Sequence, residues 1–249
     1  MHDFLFQQEE DRGEEREEEQ RYTEPTWRFN IRLLNVPRDI YEYLMAAGCL
    51  GPLPWKLEYE ILRMYVRYVH PVSTFLADII GKGESKIKSA LLYQAVMLAG
   101  SAFVKDHAKA AGYSSLVDLR RKLFWKAKLL HEAGIEFDPY SRIQALILMT
   151  LWHEDSMGQK DPPYWLDIAL STAKHMQLSE NLHSGNFCLQ NRIWWCLYVR
   201  DRIIALAFGR RINILREDIW VSVWGTWMRA WIRMTATFWS AWEMTLLNT

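Results

Sequence analysis

Asp138-Pro139 is followed, after Tyr140, Ser141 and Arg142, by a block of seven residues from 143 to 149 in which only Gln144 is polar. Aspartate before proline is a helix start: the carboxylate accepts from the first exposed amides, and proline at the first helical position gives up a donor that had no partner. A helix opened there and running over residues 140–152 is apolar nearly all round. Such a helix has no face to give to water and must be surrounded. It is expected to be the central helix of the domain, and its neighbours have to be other helices or sheets.

The rest of the chain supplies helices. Helical periodicity begins near Glu58, where Leu57, Ile61, Leu62, Tyr65, Val66 and Val69 recur at helical spacing until Pro71 stops the run. Residues 86–111 read as one helix with Ile87, Leu91, Ala95, Leu98 and Ala102 on its inner face, ended by Gly112. Ser115 with Asp118 three residues later resembles a capping box, and Gly134 closes the helix it starts. Asp161-Pro162 repeats the cap signal ahead of Trp165, Ile168, Ala169, Thr172, Ala173 and Met176. Residues 190–208 form the last strong helix, ended by Gly209. No segment alternates with period two between turn signals. The expected fold is all-α: an irregular multi-helix domain of packed antiparallel helices joined by short loops. No strict repeat supports a solenoid.

The 249 residues are half hydrophobic, enough for one large core. The ends differ from the middle. Residues 1–21 form an acidic tail, glutamate-rich between 7 and 20, which repels itself and is expected to be disordered. Residues 22–57 are punctuated by proline and glycine and read as a linker with one short helix near 39–47. Residues 58–219 are the expected domain. Residues 220–249 place Trp220, Trp224, Trp227, Trp231, Phe238 and Trp242 on one helical stripe. Three readings of that stripe stand: a core or subunit-facing helix, a membrane-surface or partner helix with too few cations, or a segment outside the authentic coding sequence.

Net charge is zero and the one charged block is acidic, so non-specific DNA binding has no electrostatic driving force. The amino terminus lacks the basic start of a secretory signal, and no clean run of about 20 apolar residues suggests a membrane span. Cys49, Cys188 and Cys196 are too few and too scattered for a disulfide scaffold or a zinc site. Cys196, beside Trp194 and Trp195, is expected to act as a small hydrophobe. Gly81-Lys82-Gly83 lacks the spacing of a phosphate loop and reads as a plain loop. His153 with Glu154 and Asp155, and His131 with Glu132, read as helix-end groups rather than ligands or bases. No nucleophile, acid and base stand at usable spacing, so an enzyme is not expected and no catalytic residue is named.

Arg200, Asp201 and Arg202 interrupt an apolar helix. Facing inward, Asp201 must be paired, because an isolated buried charge costs several kcal/mol. The preferred reading is an ion-pair network with Arg192 or Arg210. The other reading is a site for an effector carboxylate.

These residues also carry a resemblance. Leu91-Leu92-Tyr93-Gln94-Ala95-Val96 with Ala99-Gly100-Ser101, then Arg142-Ile143-Gln144-Ala145-Leu146, then Tyr164-Trp165-Leu166, stand in order. After them comes the run from Arg192 through Trp194, Trp195, Cys196, Arg200, Asp201 and Arg202 to Gly209-Arg210 and Glu217-Asp218. The set, spanning residues 68–219, resembles the fungal-specific transcription factor domain, the xylanolytic activator regulatory type, and within it the branch of cutinase-type activators. The resemblance implies a nuclear regulator of transcription that modulates activity through effectors, self-association or partners in the transcription machinery. It implies signature positions at Gln144, Trp165, Arg192, Trp194, Trp195, Arg200, Asp201, Arg202, Gly209, Arg210 and Asp218. It also implies, in whole members, an N-terminal six-cysteine cluster with two zinc ions that reads DNA; this chain carries no such cysteines, and contact with DNA would need that missing segment. Arg211 stands where the family usually has proline, and residues beyond Asp218 depart from its pattern, as a truncated gene model would produce. A stand-alone interaction protein is the alternative, and a helical small-molecule or lipid-binding protein the third.

Overall fold

The computed structural model of the chain describes residues 36–51, 53–71, 73, 89–153, 161–178 and 189–215. The acidic tail, the Gly81-Lys82-Gly83 loop, Glu154, Asp155, Cys188, Asp218 and the tryptophan stripe lie outside the described residues. Among the described residues are eight α-helices and no strand, the all-α class expected. They are α1 (Arg38–Ala46), α2 (Trp55–Met64), α3 (Ala90–Gly100), α4 (Lys105–Ala110), α5 (Leu116–Glu132), α6 (Pro139–Met149), α7 (Pro162–His175) and α8 (Leu189–Phe208).

The caps form as their chemistry dictates. Asp138 accepts from the Tyr140 and Ser141 amides and opens α6. Asp161 accepts from Tyr164 and opens α7. Ser115 accepts from the Asp118 amide at α5, while Asp118 reaches back to the Ser114 amide, one residue earlier than a standard capping box.

Helix α6 is enclosed as expected, with Ile143 through Met149 all buried. It is not alone at the centre. All eleven residues of α3 are buried, so one inner face was too narrow an expectation for this segment. α3 packs against α6, α5 and α2, and α6 packs against α7 and α8 as well. The core therefore has two adjacent central helices, with α2 and α5 on one side and α7 and α8 on the other.

The single helix expected over 86–111 is broken. Past Gly100 the backbone tightens into a 3-10 turn, Ser101–Phe103, and leaves helical geometry at Val104 (φ −117°, ψ +43°) before α4. Ser101 Oγ donates 2.7 Å to the Leu98 carbonyl, a local bond that favours a tightened turn. Helix α2 likewise changes pitch, continuing as a π turn over Tyr65–Val69 ahead of Pro71. The two irregularities meet at Gly100. A Cβ there would overlap the Ile61 carbonyl oxygen and lie 2.9 Å from Ile61 Cγ2 and 3.0 Å from Tyr65 Cβ. Only glycine lets the end of α3 approach the α2 backbone this closely.

Candidate functional site

The charged signature sits on α8, a 20-residue helix with Ile193, Trp194, Leu197, Ile204 and Ala205 turned inward. Successive residues on a helix point about 100° apart. Arg200, Asp201 and Arg202 therefore leave the helix in three directions and meet three different partners.

Asp201 is fully buried. Its Oδ2 accepts from the amides of Asn213 (2.8 Å) and Ile214 (2.9 Å), and its Oδ1 from Asn213 Nδ2 (3.0 Å). These partners come from the chain just beyond α8. Gly209 adopts φ +61°, and the Arg210 amide bonds back to the Ala205 carbonyl. That turn sends residues 210–215 back along the helix, so that two consecutive amides face the carboxylate. The expected network of arginines is thus replaced mainly by backbone donors. Arg192 lies nine residues earlier, about 13 Å along the helix axis, and is too far to pair. Arg210 pairs instead with Asp167 of α7, which pushes the guanidinium pKa up; Asp201 adds a weaker pull from farther away.

Arg202 completes the latch. Its guanidinium is 3.6 Å from Asp201, lies over the Tyr198 ring at 3.3 Å, and donates 2.7 Å to the Ile214 carbonyl. The return segment is therefore gripped at its amides by an acid and at its carbonyl by a base. A carboxylate with three donors is the satisfied state that a buried charge requires.

Arg200 turns the other way. Its Nε donates 2.6 Å to Thr150 Oγ1 and its Nη2 donates 2.5 Å to the Thr150 carbonyl, at the C-terminal end of α6. Burial pushes this guanidinium down to about 10. Beside it is a small recess of about 50 Å³ lined by Ser73, Ile147, Leu151, Cys196, Val199, Arg200 and Ile203. A drug-sized ligand needs roughly 300 Å³ or more, so this recess admits only a small group.

The other signature residues are packing groups. Trp165 is fully buried in α7 and stands edge-on to Phe124, His131 and Tyr164. Gln144 and Trp194 are buried, and Trp195 stacks on Tyr198 at 5.2 Å. Arg192, near the start of α8, reinforces the depression of the His70 pKa, whose larger cause is burial. His131 and His153 make aromatic contacts, with Trp165 and Phe208 respectively. Sequence spacing missed Thr150, Asp167, Asn213 and Ile214, the acceptors and donors that the signature residues meet. No local pattern marks them, because they lie 12 to 50 residues away in the chain.

The described residues do not fit a zinc cluster. Cys49 and Cys196 are both buried, Cys49 just beyond α1 and Cys196 in α8, and neither forms a disulfide. Among the described residues no three histidine, cysteine or acidic side chains come together to hold a metal ion. No described helix is long and apolar enough to cross a membrane.

Comparison with known proteins follows the same residues. The family model of the fungal specific transcription factor domain matches residues 60–222. Cutinase transcription factor 1 beta of Fusarium vanettenii is 37% identical over 196 residues, covering 74% of this chain and 22% of that protein. Transcription factor cpaR of Aspergillus oryzae is 34% identical over 189 residues, covering 70% of this chain and 31% of that protein. The acetamidase regulatory protein of Aspergillus oryzae is 26% identical over 74% of this chain and 25% of its own length. The chain thus spans about a fifth to a third of the length of the curated relatives it matches. No solved structure matches it. With the family model covering well over half of its length, the chain belongs to the fungal-specific transcription factor domain family.

Proposed function

We propose that the chain is the regulatory body of a nuclear zinc-cluster transcription factor, working through protein contacts rather than catalysis or direct reading of DNA. The observation that carries this reading is the Asp201–Arg202 latch. The charged groups of the signature hold α8 to the segment that leaves it, and so set how the domain joins whatever follows. The family match and the transcription-factor relatives support the regulatory role. The three cysteines of this chain cannot supply six zinc ligands, so DNA recognition and its zinc belong to another segment or partner.

α8 and its return segment expose Ile203, Leu206, Phe208, Ile212 and Leu215. They accord with a domain that works in contact with other protein.

The test is a reporter assay in a fungal host. The chain is fused to an unrelated DNA-binding domain and compared with that domain alone. A change in reporter output that Asp201→Asn diminishes, at equal fusion abundance, is the expected result. Output identical to the DNA-binding domain alone would overturn the reading.

A further inference from the structure

The three cations grouped around the end of α8 are not equivalent. Arg202 has Asp201 beside it, and Arg210 has Asp167. Arg200 is partly buried, yet its acceptors among the described residues are the Thr150 hydroxyl and carbonyl, both uncharged. The C-terminal end of α6 offers a partial negative charge of about half a unit, which leaves the guanidinium incompletely balanced. A partly buried cation without a counter-charge still loses hydration that its partners must replace. A guanidinium has five N–H donors, and Thr150 accepts from two of the three nitrogens.

Arg200 also lines the recess between α6 and α8. Ser73, which carries a hydroxyl and follows the π turn, belongs to the same wall. Ile147, Leu151, Cys196, Val199 and Ile203 make the remainder largely apolar. At about 50 Å³ the recess has room for a handful of non-hydrogen atoms. One cationic fork, one hydroxyl and an apolar wall match a small anion with an alkyl end. Planar, two-pronged donation suits a carboxylate in particular.

We propose that this recess is a binding site for a short-chain monocarboxylate, held by Arg200 and Ser73 with its alkyl end against Leu151, Val199 and Ile203. The bound acid would bridge three separate parts of the fold: the end of α6, the middle of α8 and the Ser73 segment. Binding itself is independent of the regulatory reading above; only its consequence for transcription rests on that reading.

The experiment is thermal unfolding and titration calorimetry of the whole chain at pH 7 and constant ionic strength. Sodium acetate, propionate and butyrate are titrated against sodium chloride. Saturable stabilisation by propionate or butyrate is expected, about 3 °C near tenfold excess over Kd, with chloride giving none. Arg200→Gln should abolish it and Ser73→Ala weaken it. Arg200→Gln also releases the Thr150 contacts, so Ile203→Trp provides a second check: Ile203 is half exposed, and the larger ring blocks the recess while leaving Arg200 intact. Loss of binding in a folded Ile203→Trp protein supports the site. No saturable effect beyond chloride, or equal stabilisation of the blocked variant, overturns it. A reporter that ignores propionate while the purified chain binds it would refute the regulatory consequence and leave the site standing.

Discussion

Helix α3 buries eleven consecutive residues, none of them charged, whereas α8 buries an aspartate and flanks it with two arginines. α3 is held mainly by packing against α2, α5 and α6. Packing energy is shared among many contacts, each worth about 0.1–0.2 kcal/mol, and hydrophobic substitutions of similar volume are tolerated. The α8 end relies on a few directed bonds from Asp201, Arg202 and Arg200 to named atoms. Such groups stabilise little when complete and cost much when one partner is removed. The central pair therefore specifies that the chain collapses around α3 and α6. The polar end specifies where the chain goes after α8.

The sharpest way to break this contrast is Asp201→Ala. The change orphans the Asn213 and Ile214 amides and leaves Arg202 beside an empty space. A loss of about 3–5 kcal/mol is expected, or roughly 10 °C in Tm. Asp201→Asn retains one acceptor oxygen and should fall between wild type and alanine. An unchanged melting temperature for the alanine variant would show that the return segment is not latched by this carboxylate. Truncating an α3 leucine would also be costly, but leucine-to-methionine should cost under about 1.5 kcal/mol. No substitution at 201 is expected to be that mild.

Next in size is Gly100→Ala. In an exposed helix this change would stabilise by roughly 1 kcal/mol. Here the new methyl meets the Ile61 carbonyl, an atom of the α2 backbone that cannot rotate away. A net loss of about 1–3 kcal/mol is expected, measured by denaturant unfolding. A neutral or stabilising result would mean that α2 and α3 can slide apart, and that the packed centre is less tightly determined than the latch.

What could be read in advance follows the same division. The caps at Asp138, Asp161 and Ser115 were legible because donor and acceptor lie within three residues. Enclosure of α6 was legible because its apolar residues run unbroken from Ala145 to Met149, with Ile143 just before Gln144. The full burial of α3 was not, because Tyr93, Gln94 and Gly100 interrupt the apolar pattern, and Gln94 is buried by bonding the Cys49 carbonyl 45 residues away. Asp201 was legible as a buried acid that needed partners. Its partners were not, since they depend on a glycine turn bringing a loop back, and the nearby arginines were the more obvious sources of charge. Arg200 and Thr150 are 50 residues apart, and only the packing of α6 against α8 joins them.

The smallest expected effect probes the border between the two regimes. Ser89 caps α3 by accepting from the Leu92 amide, and its hydroxyl donates to Glu136 in the α5–α6 connection. Burial pushes the Glu136 carboxyl pKa up, while the Ser89 hydroxyl and the Asp138 amide pull against that rise. A raised acid is favoured in its neutral form by the folded state. Its contribution to stability is fully present below the unfolded value, about 4.3, and is lost as pH rises through the higher folded value. Glu136→Gln cannot lose that contribution. The difference in Tm between the variant and the wild type should therefore shift in favour of glutamine from pH 4 upward, by a few degrees at most, and then level off. A difference that stays flat, or shifts toward wild type, would show that the ionised carboxylate is fully stabilised by Ser89 and Asp138. The polar regime would then reach the first turn of the apolar helix, and the contrast between the two regions would be one of degree.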